Sequence, residues 1–274
     1  GTRAWRLANK SGIVMVFVIL FAVLALAVPD FLTSRNMQGL LLSVTLIGSI
    51  AVTMMFVLAL GEVDLSVASI VAFSGVVASM LITATHSVVF GVTVGVLAGG
   101  AVGLVNGVLV ARYKINSLIV TLAMMEVVRG LAYIVSNGDA VMISEESFFD
   151  LGGGSFLGIS YPIWSNIVGF IVFGFLLRKT VFGKNVLAVG GNSEAAALAG
   201  LPVTRIKVAV FVLQGLVTGF AGVMLASRMS LGDPKTSVGL ELGVISACVL
   251  GGVSLTGGVA TISGVLVGVL IMGS

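Results

Sequence analysis

The feature that most restricts this 274-residue chain is a succession of apolar stretches, each near the length of a membrane-crossing helix. A helix rises about 1.5 Å per residue, so roughly 20 apolar residues, with about 17 to 25 tolerated, cross a hydrocarbon core of about 30 Å. Nine segments meet or approach that length: 12–28, 40–60, 67–83, 88–110, 117–136, 162–177, 208–226, 238–250 and 259–272, the last two short and broken by glycine. Residues 12–28 are apolar on every face, which excludes a transmembrane barrel, whose strands alternate polar and apolar positions. A soluble domain is excluded by composition: only 9% of residues are charged and 58% are hydrophobic, against about 25% charged in ordinary globular chains. The 37 glycines suit helices that approach one another closely in lipid. The expected fold is all-α, a polytopic membrane helical bundle that forms one transmembrane domain over residues 1–274.

Alternating the nine segments from a cytoplasmic amino terminus gathers Arg3, Arg6, Lys10, Arg112, Lys114, Arg178, Lys179, Lys184, Arg205 and Lys207 on the cytoplasmic side. Only Arg35, Arg228 and Lys235 then lie outside. That asymmetry is the positive-inside rule, so the formal charge of +3 reflects topology and points to lipid rather than nucleic acid as the surrounding partner. The first apolar run is long and ends in Pro29-Asp30 without a small-residue cleavage pattern, so it reads as a retained helix rather than a signal peptide. The same alternation leaves the ninth span ending outside, which predicts a tenth. Cys248 lies in an apolar run and reads as a packing residue, and His86 falls at a span end where an imidazole stays wet. No metal site is visible.

Acidic groups at membrane depth persist when they face a cavity, pair, or reach an aqueous end. The segment Leu60-Gly61-Glu62-Val63-Asp64-Leu65-Ser66 places two carboxylates and a hydroxyl between two spans. Glu62, Asp64 and Ser66 are therefore candidates for a solute pathway, although Asp64 and Ser66 also have the chemistry of a helix N-cap before Val67. Leu250-Gly251-Gly252-Val253-Ser254-Leu255-Thr256 repeats the pattern L-G-x-V-x-L-[ST] and adds Ser254. Paired glycine-interrupted segments point to internal repeats or broken helices in transporters. Within the fifth span, Glu126 and Arg129 stand three apart, on one helical face, where they can neutralise each other or line the path; Glu241 carries the same ambiguity.

Residues 185–207 form a long cytoplasmic segment. Asn192 or Ser193 can cap a helix, Glu194 suits its first turn, Ala195, Ala196, Ala197 and Ala199 propagate it, and Gly200 with Pro202 stops it. Such a helix is either a plain connector or a coupling helix seated in the groove of a cytoplasmic motor, with Glu194 and Arg205 flanking the contact. The chain has no Walker A pattern: Phe182-Gly183-Lys184-Asn185 has asparagine where Ser or Thr must ligate magnesium. No nucleophile stands with a paired base, so a membrane enzyme has little to recommend it. An ion-coupled transporter using Asp64, Glu126 or Glu241 is a further alternative.

The string from Gly190 to Lys207, with G-E-V-D-L-S-V-A-S upstream and E-L-G-V-I-S-A-C-V-L-G-G-V-S-L-T-G-G downstream, resembles the permease subunits of bacterial monosaccharide ABC importers. The strings from Lys114, Val128 and Glu145 look most like the L-arabinose branch of that family, although Glu126 stands where an uncharged amide is expected. The resemblance implies an inner-membrane homodimer that carries a monosaccharide, with L-arabinose foremost. It also implies a cytoplasmic ATP-binding subunit that holds ATP and magnesium, a periplasmic sugar-binding protein, and no cofactor on this chain. With those partners, Asn192, Glu194, Ala195, Ala196, Ala199, Gly200 and Arg205 are expected to couple to the ATPase. Segments 144–157 and 232–237, through Glu145, Glu146, Asp150, Asp233 and Lys235, are expected to dock the binding protein.

Overall fold

The structure is a computed structural model and describes residue 15 and residues 17–273. Arg3, Arg6 and Lys10 lie outside the described residues. Helix α1 spans Phe17–Ala27. It is followed by α2 (Ser34–Ala59), α3 (Val67–Thr85), α4 (Val88–Ala111), α5 (Ser117–Val135), α6 (Glu146–Gly153), α7 (Tyr161–Lys179), α8 (Val181–Gly191), α9 (Ser193–Leu198), α10 (Val203–Met229), α11 (Leu240–Leu250) and α12 (Ile262–Gly273). The chain is thus an all-α membrane bundle, as expected.

Polar side chains start several of these helices by accepting backbone N–H groups that have no partner inside the helix. Ser87 accepts from Phe90 at the head of α4, and Asn116 accepts from Leu118 at the head of α5. Six helices, α2, α3, α4, α5, α7 and α10, are long and apolar enough to cross a membrane. Among the described residues, α1, α11 and α12 are shorter apolar helices, so six of the nine or ten spans expected from the sequence reach full length there. The shortening of the last two has a local cause. Residues 251–261 break the helix with Gly252, Gly257 and Gly258 in the left-handed region, at φ 80°, 84° and 75°. Helices α11 and α12 then pack against each other and against α2.

The carboxyl-terminal half of α2 is the centre of the bundle: every residue from Ile50 to Ala59 is at most 1% exposed. It is enclosed by α7, α10, α11 and α12. Beside it, α4 and α10 are pressed together along a seam of glycines. A Cβ on Gly99 would lie 2.9 Å from the Gly219 Cα, and one on Gly103 would lie 3.2 Å from the Gly215 Cα. Such backbone-to-backbone approach gains dispersion contacts where lipid supplies no hydrophobic drive.

The connections divide between two ends of the bundle. At one end lie residues 60–66, 112–116, α8 with α9, and 251–261. At the other, β1 (Val141–Met142) pairs antiparallel with β4 (Leu231–Gly232), and β2 (Ser155–Phe156) pairs with β3 (Ile159–Ser160). The second pair is a hairpin whose turn residues, Leu157 and Gly158, both have positive φ, at 54° and 75°. Helix α6 closes this end over α10, with Phe148 fully buried and its carbonyl accepting the Ser227 hydroxyl at 2.5 Å.

Candidate functional site

The two glycine-interrupted segments come together at the end that carries α8 and α9. The Gly258 N–H donates to the Ala59 carbonyl at 2.8 Å. Gly190, at the end of α8, is pressed against the same carbonyl, and a Cβ there would lie 2.9 Å from the Gly258 nitrogen. A Cβ on Gly257 would lie 2.6 Å from the Gly190 carbonyl and 2.9 Å from the Gly61 nitrogen. Three distant stretches of backbone thus touch with no side chain between them. Ser254 lies in the adjoining turn, where its hydroxyl bonds Thr256 Oγ1 at 2.9 Å.

Glu62, a pathway candidate, forms an ion pair with Lys207 of α10, and both side chains are largely shielded from solvent, at 15% and 19% exposure. The next residues tie into two helices, α5 and α4. The Val63 N–H donates to the Ser117 hydroxyl of α5 at 3.2 Å. Asp64 is fully buried and accepts both the Ser66 N–H, at 2.9 Å, and the Ser66 hydroxyl, at 2.6 Å. The Ser66 hydroxyl in turn accepts from Asn106 of α4 at 2.9 Å. Ser66 therefore does not cap α3 with its side chain; the hydroxyl is spent on Asp64. Burial pushes the Asp64 carboxyl up from the usual carboxylate range, against the hydrogen bonds from Ser66 and Asn106.

Glu126 and Arg129 share a helical face but make no ion pair with each other. Arg129 reaches across to residues 234–236, where its Nη1 donates to the Pro234 and Thr236 carbonyls at 2.7 and 2.8 Å. Glu126, Glu241 and Asp233 lie within Coulombic reach of the guanidinium. Glu241, in the first turn of α11, keeps a buried carboxylate oxygen without a hydrogen-bond partner. Glu126 is exposed on a stripe with Ile119, Leu122, Val127, Leu131 and Ile134. It sits nine residues from either end of α5, or about 13 Å at 1.5 Å per residue. Among the described residues no other charged side chain is exposed near the middle of a long helix. The pathway candidates thus fall into two groups, Glu62, Asp64, Ser66 and Ser254 at one end and Glu126, Arg129 and Glu241 in and beyond the middle. Two cavities, of about 280 and 270 Å³, are mostly apolar and lined by none of them.

The Ala-rich helix forms as α9. Asn192 Oδ1 accepts from the Ala195 N–H at 2.9 Å, and Gly200 ends the turn at φ 85°. Glu194, Ala195, Ala199 and Arg205 are exposed. Ala196 is 6% exposed and faces this chain, so it belongs to the helix's seat rather than its outer surface. Leu198, which sequence reasoning passed over, is 90% exposed.

At the opposite end the antiparallel β1–β4 pair joins the stretches that lead into segments 144–157 and 232–237, which leave it in opposite directions, the first toward the end of α10. Glu146, Asp150 and Lys235 are exposed. Asp233 accepts from the Lys235 N–H at 2.8 Å. Glu145 is partly covered, and its carboxylate meets Nδ1 of the exposed His86 at 2.7 Å; the hydrogen bond holds the carboxyl below the usual range.

Residues 36–274 match the family described as the permease component of the branched-chain amino acid transport system. The chain belongs to that permease family. Among curated relatives, an L-arabinose ABC transporter permease protein of Azospirillum brasilense is 90% identical over 270 residues, 98% of this chain and 80% of the relative. The L-arabinose transport system permease protein of Escherichia coli K12 is 53% identical over 98% of this chain and 82% of its own length. The ribose import permease protein of Bacillus subtilis 168 is 38% identical over 97% and 83%. No solved structure matches. The permease is a multi-pass inner-membrane protein, and as a transport component it is not itself an enzyme. The site features that sequence reading missed in this permease are Lys207, Asn106 and the glycine contact at Gly190. The paired residues lie 145 apart for Glu62 and Lys207 and 40 apart for Ser66 and Asn106, so no local pattern announces them.

Proposed function

We propose that this permease is the membrane-spanning subunit of an ABC importer that carries L-arabinose into the cytoplasm. The observation that carries the reading is the 90% identity to an L-arabinose ABC permease over 98% of the chain. The substrate named by that relative weighs more than the amino acids of the family description, because ribose permeases at 35–38% identity are also named for a sugar. The amino terminus is cytoplasmic, and the six long helices with α1, α11 and α12 make nine crossings. The end carrying α8 and α9 then faces the cytoplasm, where α9 meets the ATP-binding subunit that holds ATP and magnesium. The end carrying α6 and β1–β4 meets the periplasmic sugar-binding protein through Glu146, Asp150, Asp233 and Lys235, whose charges steer docking more than they add affinity.

The functional unit is a homodimer with the sugar path between copies. The exposed stripes of α4 and α7, with Leu97, Leu104, Val168, Ile171 and Phe175, are apolar and suit lipid. The α5 stripe is interrupted at mid-depth by Glu126, and an ionisable group there belongs against a partner or a watered path. A two-fold arrangement of α5 supplies both, with Glu126 of each copy facing hydroxyl-rich solute. ATP binding draws the motors together, α9 transmits the motion, and the path opens alternately to each side. Uptake into vesicles tests the reading. L-arabinose should enter only with the ATPase, ATP and the binding protein present; entry driven by an ion gradient with this chain alone would overturn it.

A further inference from the structure

The coupling segment is anchored at both ends, and both anchors fall on residues 59–62. On its amino side Gly190, two residues before the Asn192 cap, is pressed against the Ala59 carbonyl with no space for a Cβ. On its carboxyl side Lys207, in the second turn of α10, holds Glu62. Residues 59–62 lead at once into Val63, bonded to Ser117 of α5, and into Asp64 and Ser66, bonded through Asn106 to α4. We propose that the Glu62–Lys207 ion pair and the Gly190–Ala59 backbone contact form a clamp that passes displacement of α9 to the helices lining the path.

Two physical features suit this role. Contact between backbones cannot be absorbed by side-chain rotation, so a shift at Gly190 is a shift at Ala59. The ion pair is 15% and 19% exposed, so it is screened little and holds its register where an exposed pair would yield. The segment it holds is hydrogen-bonded, through the Val63 N–H and the Ser117 hydroxyl, to the head of α5, the helix that carries Glu126 and Arg129. Glu62 and Lys207 are thus positioning residues for coupled transport, and the inference rests on the reading of α9 as the ATPase contact.

Removing one partner of a shielded pair strands a charge and can unfold the region, so single variants are uninformative. The test uses Glu62→Gln with Lys207→Gln, and the charge swap Glu62→Lys with Lys207→Glu, in the assembled importer with its ATPase and binding protein. The double glutamine variant should bind the ATPase normally but consume about 5-fold or more ATP per sugar imported, the lower end of typical coupling between sites. The swap should recover most of the original ratio. A pair that only stabilises the fold would lower the unfolding midpoint of the double glutamine variant and leave its ATP-to-sugar ratio unchanged, which would overturn the clamp. Leu198→Asp tests the underlying reading separately. Intact ATPase binding by that variant would remove the α9 assignment and the clamp with it; lost binding, with a normal ratio in the double glutamine variant, would remove the clamp alone.

Discussion

Replacing Leu198 by alanine should weaken ATPase binding without weakening the permease. Leu198 is 90% exposed at the tip of α9, so its truncation deletes almost no contact within this chain. The three carbons removed are worth about 0.8 kcal/mol each when buried, or about 2.4 kcal/mol if the partner's groove covers them fully. At about 1.4 kcal/mol per tenfold, that is a loss of about 50-fold in affinity. Ala196 is the matched control. It is 6% exposed, so Ala196→Leu forces extra volume into a packed seat and should cost about 1 to 3 kcal/mol of stability. Titrating the purified ATPase onto permease in nanodiscs gives the first quantity, and thermal unfolding in detergent gives the second. If Leu198→Ala bound within about twofold of the unaltered permease, the groove would not close over α9 and shape-driven seating would be refuted.

Three further outcomes follow from the same geometry. With buried Cys248 changed to alanine, Ile119→Cys and Leu122→Cys on α5 should form disulfide-linked dimers in the membrane, whereas Ile171→Cys on α7 should not; the reverse pattern would move the interface to α7. Asn106→Leu removes the donor to Ser66 and should cost about 1 to 3 kcal/mol in chemical unfolding, while Asp64→Asn, which keeps the shape and a hydrogen-bond acceptor, should cost less; equal losses would mean packing dominates there. Because His86 depresses the folded pKa of Glu145, their contact contributes above the ordinary carboxylate range and is lost as the pH falls through the lowered folded value. Proteolysis of segment 136–160 should therefore accelerate on acidification in the unaltered chain, and His86→Ala should flatten that dependence.

The bundle was legible because lipid imposes a length on each helix, and the ends of α3, α4 and α5 fall within a few residues of the apolar limits. The α9 helix was legible for a different reason: an asparagine cap and a glycine stop act locally, within one turn of the groups they satisfy. Helix α8 was not, since Gly183, Gly190 and Gly191 look like breakers. The structure keeps two of them for closeness instead: Gly183 is pressed against the Leu176 and Leu177 carbonyls, and Gly190 against Ala59. The Glu126–Arg129 spacing correctly gave a shared face, but the guanidinium found two carbonyls more than 100 residues away. A helical face says which neighbours are available on one element; it says nothing of acceptors brought in by another.

The central position of α2 has a consequence for how the chain is made. Its enclosing neighbours, α7, α10, α11 and α12, all lie more than 100 residues downstream of its end, so α2 is synthesised and inserted long before they exist. During that interval the helix destined for the driest place in the protein is bathed in lipid. It is equipped for the wait: the Thr45 and Thr53 hydroxyls donate to carbonyls of α2 itself, Leu42 at 2.7 Å and Ile50 at 3.1 Å. The helix therefore carries its own solvent for its polar groups, and the bundle can be completed around it late, by exchanging lipid for protein on every side.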